Sequence, residues 1–152
     1  MARAYYSVVL DHSADAVWEH IRSFGVYAWS GVSAETVIED GKSGDQVGAI
    51  RRVATSGGEI RQRLVAFSDV DRSYTYEFVG PASVPVNDYQ ATIHVLPVLE
   101  DDRAFVEWWA TFDCAADDVP LWRHHLEHEG FAKWLTALRA QMAREQSDSA
   151  AA

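Results

Sequence analysis

A chain of 152 residues with 48% hydrophobic content and a formal charge of −10 is long enough to bury one core of its own. Its acidity excludes nucleic acid as a partner, because a phosphate backbone selects a basic surface. The lone Cys114 excludes an internal disulfide and a multi-cysteine zinc site, and it favours a reducing compartment.

In chain order, Tyr5 to Asp11 reads as a strand, preceded by no charged-then-apolar export signal. Ser13 then caps a helix in which Val17, Trp18, Ile21 and Phe24 share one face, and Gly25 is expected to end it. Tyr27 to Trp29 forms a short second turn, Glu35 to Glu39 a strand, and Gly41 to Gly48 a turn region. No apolar run reaches the roughly 20 residues that span a bilayer, so the expectation is a cytoplasmic protein without a membrane span.

Five more strands are predicted between Asp45 and Phe112. Side chains alternate between the faces of a strand, so each series has a definite side. One face collects Val47, Ala49, Arg51 and Val53, then Ile60, Gln62 and Leu64, then Tyr74, Tyr76 and Phe78. Tyr89, Ala91, Ile93 and Val95 continue it, followed by Val106, Trp108, Ala110 and Phe112. The other face carries Arg52, Arg61, Arg63, Glu77, His94 and Glu107, as in an antiparallel sheet with one wet side. Ile50, Val65 and Trp109 break that alternation. Two polar residues, Arg51 and Gln62, interrupt the aromatic face, and several phenols beside them are easier to satisfy around a cavity than in a dry core. Within Gly80 to Asp88, Gly80-Pro81 through Pro85 is the longest irregular connection and a candidate gate.

After Cys114 the period becomes helical. Val119, Trp122 and Leu126 form one stripe and Phe131, Trp134, Leu135, Leu138 and Met142 another, with a kink or a second helix expected at Gly130. Residues 1–146 are expected to form one ligand-binding domain, and 147–152 a disordered tail.

Two motifs carry no function. His124, Glu127 and His128 have the H-x-x-E-H spacing of a zinc peptidase helix, but no third ligand or peptidase domain accompanies them. Gly41-Lys42-Ser43 ends like a phosphate loop, yet Thr36 stands where that loop needs glycine. No metal and no cofactor is expected.

The order strand, helix, short helix, six strands and terminal helix resembles the START/Bet v 1-like (SRPBCC) superfamily, and most closely its bacterial polyketide cyclase/dehydrase-like branch. The matching positions are Val17-Trp18, Trp29, Gly44, Gly48 through Arg51, Gly58, Leu64, Tyr74, Tyr76, Tyr89, Pro97, Val106, Trp108 and Phe112. The resemblance implies an α+β helix-grip fold, in which a curved antiparallel sheet of about seven strands wraps a long C-terminal helix and two short helices follow the first strand. It also implies an internal cavity for a small hydrophobic molecule, aromatic or polyketide-like. One departure stands out: the family pattern has a glutamate before Arg-Leu, whereas this chain has Gln62-Arg63-Leu64. Arg51 is thereby left without its expected counter-ion, and an anionic or carbonyl-rich ligand becomes a candidate partner; the alternative is that Arg51 reaches the rim or pairs with Glu59, Asp45 or a helix carboxylate.

Three functions remain open at this point. In a cyclase/dehydrase, Arg51 polarises a carbonyl, Tyr76 or Tyr89 donates a proton, Gln62 orients the substrate, and Trp29, Tyr74, Phe78, Ile93, Trp108, Phe112 and Leu135 line the site. In a carrier or sensor the same lining holds a ligand without changing it. In an interaction module Trp109, Trp122 or Trp134 is exposed for a protein partner. The outer sheet face and the terminal helix are candidate surfaces for a homodimer.

Overall fold

Alternation of apolar and polar side chains builds a seven-stranded antiparallel sheet in the order β1-β7-β6-β5-β4-β3-β2. The computed structural model describes residues 1–32 and 35–151, so the last residue of the expected tail, Ala152, lies outside the described residues. The strands are β1 Ala2–Leu10, β2 Thr36–Ile38, β3 Ile50–Thr55, β4 Gly58–Ser68, β5 Ser73–Phe78, β6 Asn87–Val98 and β7 Arg103–Asp113. Helix α1 spans Ala14–Ile21, a 3₁₀ turn Ala28–Ser30, α2 Val119–His124 and α3 Ala132–Ala151. This is the helix-grip architecture expected from the sequence, with the sheet curved around the terminal helix.

Ser13 caps α1 as expected, its side chain accepting from the Ala16 amide. The helix ends at Ile21, before Gly25, because Arg22 leads into a turn in which the Phe24 amide donates to the Gly44 carbonyl. Phe24 therefore lies beyond the helix, although it is fully buried with Val17 and Ile21.

Strand β3 begins at Ile50, later than the pattern suggested. Gly48 has φ +94, a left-handed conformation that interrupts the strand, and Val47 is 56% exposed where the alternation had placed it inward. Val65 breaks the pattern because it sits at a bulge: Leu64 pairs with Tyr76 while Ala66 pairs with Thr75, which turns Phe67 inward opposite Tyr74. Trp109 belongs to the outer face and is partly covered by the Arg3 guanidinium, 5.4 Å from its ring. The expected strand Glu35 to Glu39 shortens to β2, followed by a 3₁₀ turn at Glu39–Gly41.

The break at Gly130 is absorbed within one helical path. His125–Phe131 winds as a π-helix between α2 and α3, which accommodates the extra residue without a sharp end. Phe131, Leu135, Leu138 and Met142 then face the sheet, all buried. Helix α3 continues through Ala151, into the stretch expected to fray. Glu127 of the H-x-x-E-H segment accepts from the Tyr5 amide at 2.9 Å, and Arg123 and Arg139 donate to the Arg3 and Val9 carbonyls. These side chains cover the free edge of β1, which would otherwise invite another strand. His124 and His128 are exposed, and no cluster of three metal-binding side chains occurs among the described residues. No described helix is long and apolar enough to cross a membrane.

His20 of α1 contacts Glu145 of α3 and bonds the Ala16 carbonyl at 3.0 Å. Partial burial acts against the imidazolium, but the bonds to Glu145 and Ala16 win and raise the His20 pKa; Glu145 is correspondingly lowered. A raised His pKa contributes stability below its unfolded value that is lost as pH rises through the folded one. The end of α3 should therefore exchange amide hydrogen faster at alkaline than at mildly acidic pH, after correction for intrinsic rates, and His20→Gln should remove that difference.

Candidate functional site

The inner face carries one buried cation. Arg51 projects from β3 with no exposed surface, opposite Gln62 of β4. Its Nε donates to Gln62 Oε1 at 2.7 Å and its Nη1 to the Phe24 carbonyl at a long 3.4 Å. The rings of Phe24 and Tyr27 each lie 4.0 Å from the guanidinium carbon, and Tyr76 lies 5.1 Å away. No described carboxylate forms an ion pair with Arg51, and the buried polar or charged residues are Ser30, Arg51 and Gln62, none of them acidic. Three buried polar atoms have no hydrogen-bond partner among the described residues: Arg51 Nη2, the Tyr74 hydroxyl and Trp108 Nε1. Arg51 also acts on the Tyr74 phenol and Trp108 on that of Tyr76, so the deficit that remains on this face is the counter-charge of Arg51.

Aromatic contacts connect these atoms. Tyr74 and Tyr76 sit 6.3 Å apart on β5, and Phe24 lies 5.9 Å from Tyr74 and 6.1 Å from Tyr76. Tyr76 continues to Tyr89 at 6.5 Å, and Tyr89 to Phe78 at 5.0 Å. Trp29, held by an Nε1 bond to the Val26 carbonyl, lies 5.8 Å from Trp108. Between these groups Ala91, Ala110 and Ala4 pair across β6, β7 and β1, all fully buried. Tyr76 pairs with Ala91.

Burial raises the phenol pKa values of Tyr27, Tyr74, Tyr76 and Tyr89, and the nearby Arg51 charge offsets only part of the effect. All four therefore remain neutral in the physiological range. They can donate hydrogen bonds or protons but do not serve as bases. Among the described inner residues Arg51 is the cation and none is a general base.

The expected site residues divide into two groups. Arg51, Gln62, Tyr74, Tyr76, Tyr89 and Phe78 form one connected cluster, with Trp29 and Trp108 joined to it through Tyr27, which lies 5.2 Å from Trp29. Ile93, Phe112 and Leu135 are fully buried on the same side but make no polar contact with Arg51. Phe24 and Tyr27 are the site residues that the sequence reading left out of its lining. Trp134, a candidate exposed anchor, instead packs against Trp108 at 5.1 Å, and Trp109 and Trp122 are half-buried.

Gly44 sets the position of Phe24. A Cβ there would meet the Phe24 nitrogen at 3.0 Å and the Gly25 nitrogen at 3.1 Å, both backbone atoms that cannot turn aside. Gly44→Ala should cost about 1–3 kcal/mol by this overpacking, measurable by urea denaturation. It should also shift the Phe24 ring resonances.

A recess of about 500 Å³ opens at one end of the sheet, lined in part by Phe78, Gly80, Ala82, Val86, Asp88 and Tyr89. It lies outside the ring cluster, not around Arg51. The connection expected to act as a gate borders it, and a bulge between Asn87 and Gln90, with Asp88 at φ +51, accompanies the inward turn of Tyr89. Outer-face residues Glu77, Gln90 and Thr111 also line the recess, and ring contacts run from Phe78 through Tyr89 and Tyr76 to Arg51.

The chain is similar over most of its length to several solved structures. A Thermobifida fusca protein shares 27% identity at a TM-score of 0.83, with 95% of each chain covered. One from Nitrosospira multiformis shares 28% at 0.77, covering 91% of this chain and 94% of the other. Norcoclaurine synthase from Thalictrum flavum, in complex with dopamine and hydroxybenzaldehyde, shares 15% identity at a TM-score of 0.72 over 93% of this chain and 86% of its own, a likeness of fold alone. No curated protein sequence matches. The sequence profile described as polyketide cyclase/dehydrase and lipid transport matches residues 1–146, and the chain belongs to that family.

Proposed function

We propose that the chain binds a small hydrophobic molecule, aromatic or polyketide-like, on the inner face of the sheet beside Arg51. The carrying observation is the Arg51 guanidinium, fully buried with only neutral acceptors and no carboxylate partner among the described residues, on a face otherwise built from rings and alanines. A guest with one acceptor-bearing end and an apolar body satisfies the first and covers the second. The recess is the nearest described opening, and because Tyr89 and Tyr76 are buried between it and Arg51, entry by this route requires the Tyr89 ring to move. A flat body at this face has to part the rings from Ala91 and Ala110, which have no accessible surface in the free protein.

The donors also support a catalytic reading in the cyclase/dehydrase class. Hydrogens between two carbonyls are acidic, so folding the chain and stabilising an enolate is enough to promote closure. In that reading Arg51 holds the oxygen that gains charge, the neutral phenol of Tyr76 or Tyr89 gives a proton, and Gln62 fixes the guanidinium. The absence of a general base among the described inner residues favours carriage over base-initiated chemistry. Native mass spectrometry of freshly purified protein separates the two. A small molecule released unchanged after incubation supports carriage, and an altered one supports catalysis. Unchanged turnover in Arg51→Ala and in the Tyr76→Phe/Tyr89→Phe double variant contradicts the assigned roles.

A further inference from the structure

We infer that the guest is an organic anion with a planar two-oxygen head, a carboxylate, on a ring-bearing apolar body. This rests on the binding reading above and adds the charge of the guest. A guanidinium is charged at every physiological pH, and a buried cation is strongly unfavourable without a counter-charge. Arg51 is fully buried, and its hydrogen-bond acceptors are the neutral Gln62 amide and the Phe24 carbonyl. The stacked rings of Phe24 and Tyr27 lend it quadrupole attraction, but rings do not accept its in-plane N–H bonds.

The unmatched groups specify the head. Arg51 Nη2 and Trp108 Nε1 are donors, the phenols of Tyr74 and Tyr76 beside them offer neutral oxygens but no negative charge, and Nη1 is held only by the 3.4 Å contact. A site of donors around one positive charge selects a ligand that brings acceptors and a negative charge. Guanidinium N–H bonds lie in one plane, so two coplanar oxygens match Nη1 and Nη2 best. The neutral phenols set a second condition, because Tyr74 and Tyr76 add hydrogen-bond donors and no competing charge. The outer surface does not favour such a ligand, since the chain carries a net charge of −10.

Isothermal titration with 2-naphthoate and its neutral counterpart 2-naphthamide at neutral pH tests the inference. The wild-type protein should bind the carboxylate about 10- to 100-fold more tightly than the amide. Gln62→Glu, nearly the same shape, places an ionised carboxylate where Oε1 now lies 2.7 Å from Arg51 Nε. It should bring that ratio close to one, with circular dichroism confirming that the variant is folded. Arg51→Met/Gln62→Leu should erase the ratio by the opposite route. Equal wild-type affinity for both naphthalenes overturns the anionic guest and leaves the hydrophobic site standing. A ratio unchanged in Gln62→Glu also overturns it, because the anion is then held elsewhere. Failure of the wild-type protein to bind either compound defeats the binding reading and this inference with it.

Discussion

Trp108→Ala is expected to lower the unfolding free energy by about 3–5 kcal/mol, the range for emptying a large aromatic site. Trp108 is fully buried and touches Trp29, Phe131 and Trp134 at ring separations of 5.8, 5.1 and 5.1 Å, so it joins the sheet to both the turn after α1 and the terminal helix. Its removal uncouples three elements that cannot all relax into one space. Trp108→Phe should differ sharply. It keeps one ring of the packing and deletes only the indole N–H and the second ring, so its stability should fall clearly less than that of Trp108→Ala, by about 1–3 kcal/mol. Equilibrium urea unfolding checks both values. If the indole N–H serves the guest, Trp108→Phe also weakens binding of 2-naphthoate while leaving the protein folded. A stability loss in Trp108→Phe as large as in Trp108→Ala would give that N–H a structural partner and remove it from the site.

The second large effect concerns charge. Replacing Arg51 and Gln62 together by Met and Leu should leave the free protein as stable as wild type or about 1–4 kcal/mol more stable, as found when buried ionic groups give way to apolar ones of similar volume. The double change matters, because Arg51→Met alone strands the Gln62 amide in the core. Binding of 2-naphthoate should fall about 100-fold or more, so stability and capture move in opposite directions. A residue present for the fold behaves otherwise: the double variant would then unfold several degrees earlier than wild type. Thermal unfolding of both proteins without ligand, followed by titration, distinguishes the two.

Much of the fold was legible because the inner series of β5, β6 and β7 alternates without error. Tyr74, Tyr76, Ala91, Ile93, Val106 and Trp108 each occupy the expected face. A one-residue slip would have exposed all of them. The sequence was less informative where no period operates. Phe24 and Tyr27 lie in the connection between α1 and the 3₁₀ turn, where neither the strand nor the helix spacing says which way a side chain points. They nevertheless stack on Arg51. The available signal was composition: aromatic residues at 24, 27 and 29 in a short connection are too apolar for a solvated loop. Val47 misled for a related reason, since alternation continues on paper through Gly48, whereas its left-handed backbone ends the strand. The winding of His125–Phe131 was legible as a disturbance at Gly130 but not as a π-helix, because the extra residue is absorbed by hydrogen bonding that sequence spacing does not encode. Phe78 and Tyr89 were assigned to the lining by register, yet their place beside a recess at the sheet end came from the bulge at Asp88.

The most direct test is a crystal structure of the protein with 2-naphthoate. It should show the naphthalene on the inner face above Ala91 and Ala110, its carboxylate within hydrogen-bond distance of Arg51 Nη2 and close to the Tyr74 hydroxyl. Naphthoate confined to the outer surface, with Arg51 still enclosed by Phe24 and Tyr27 and its Nη2 contacted by no ligand, would contradict the account.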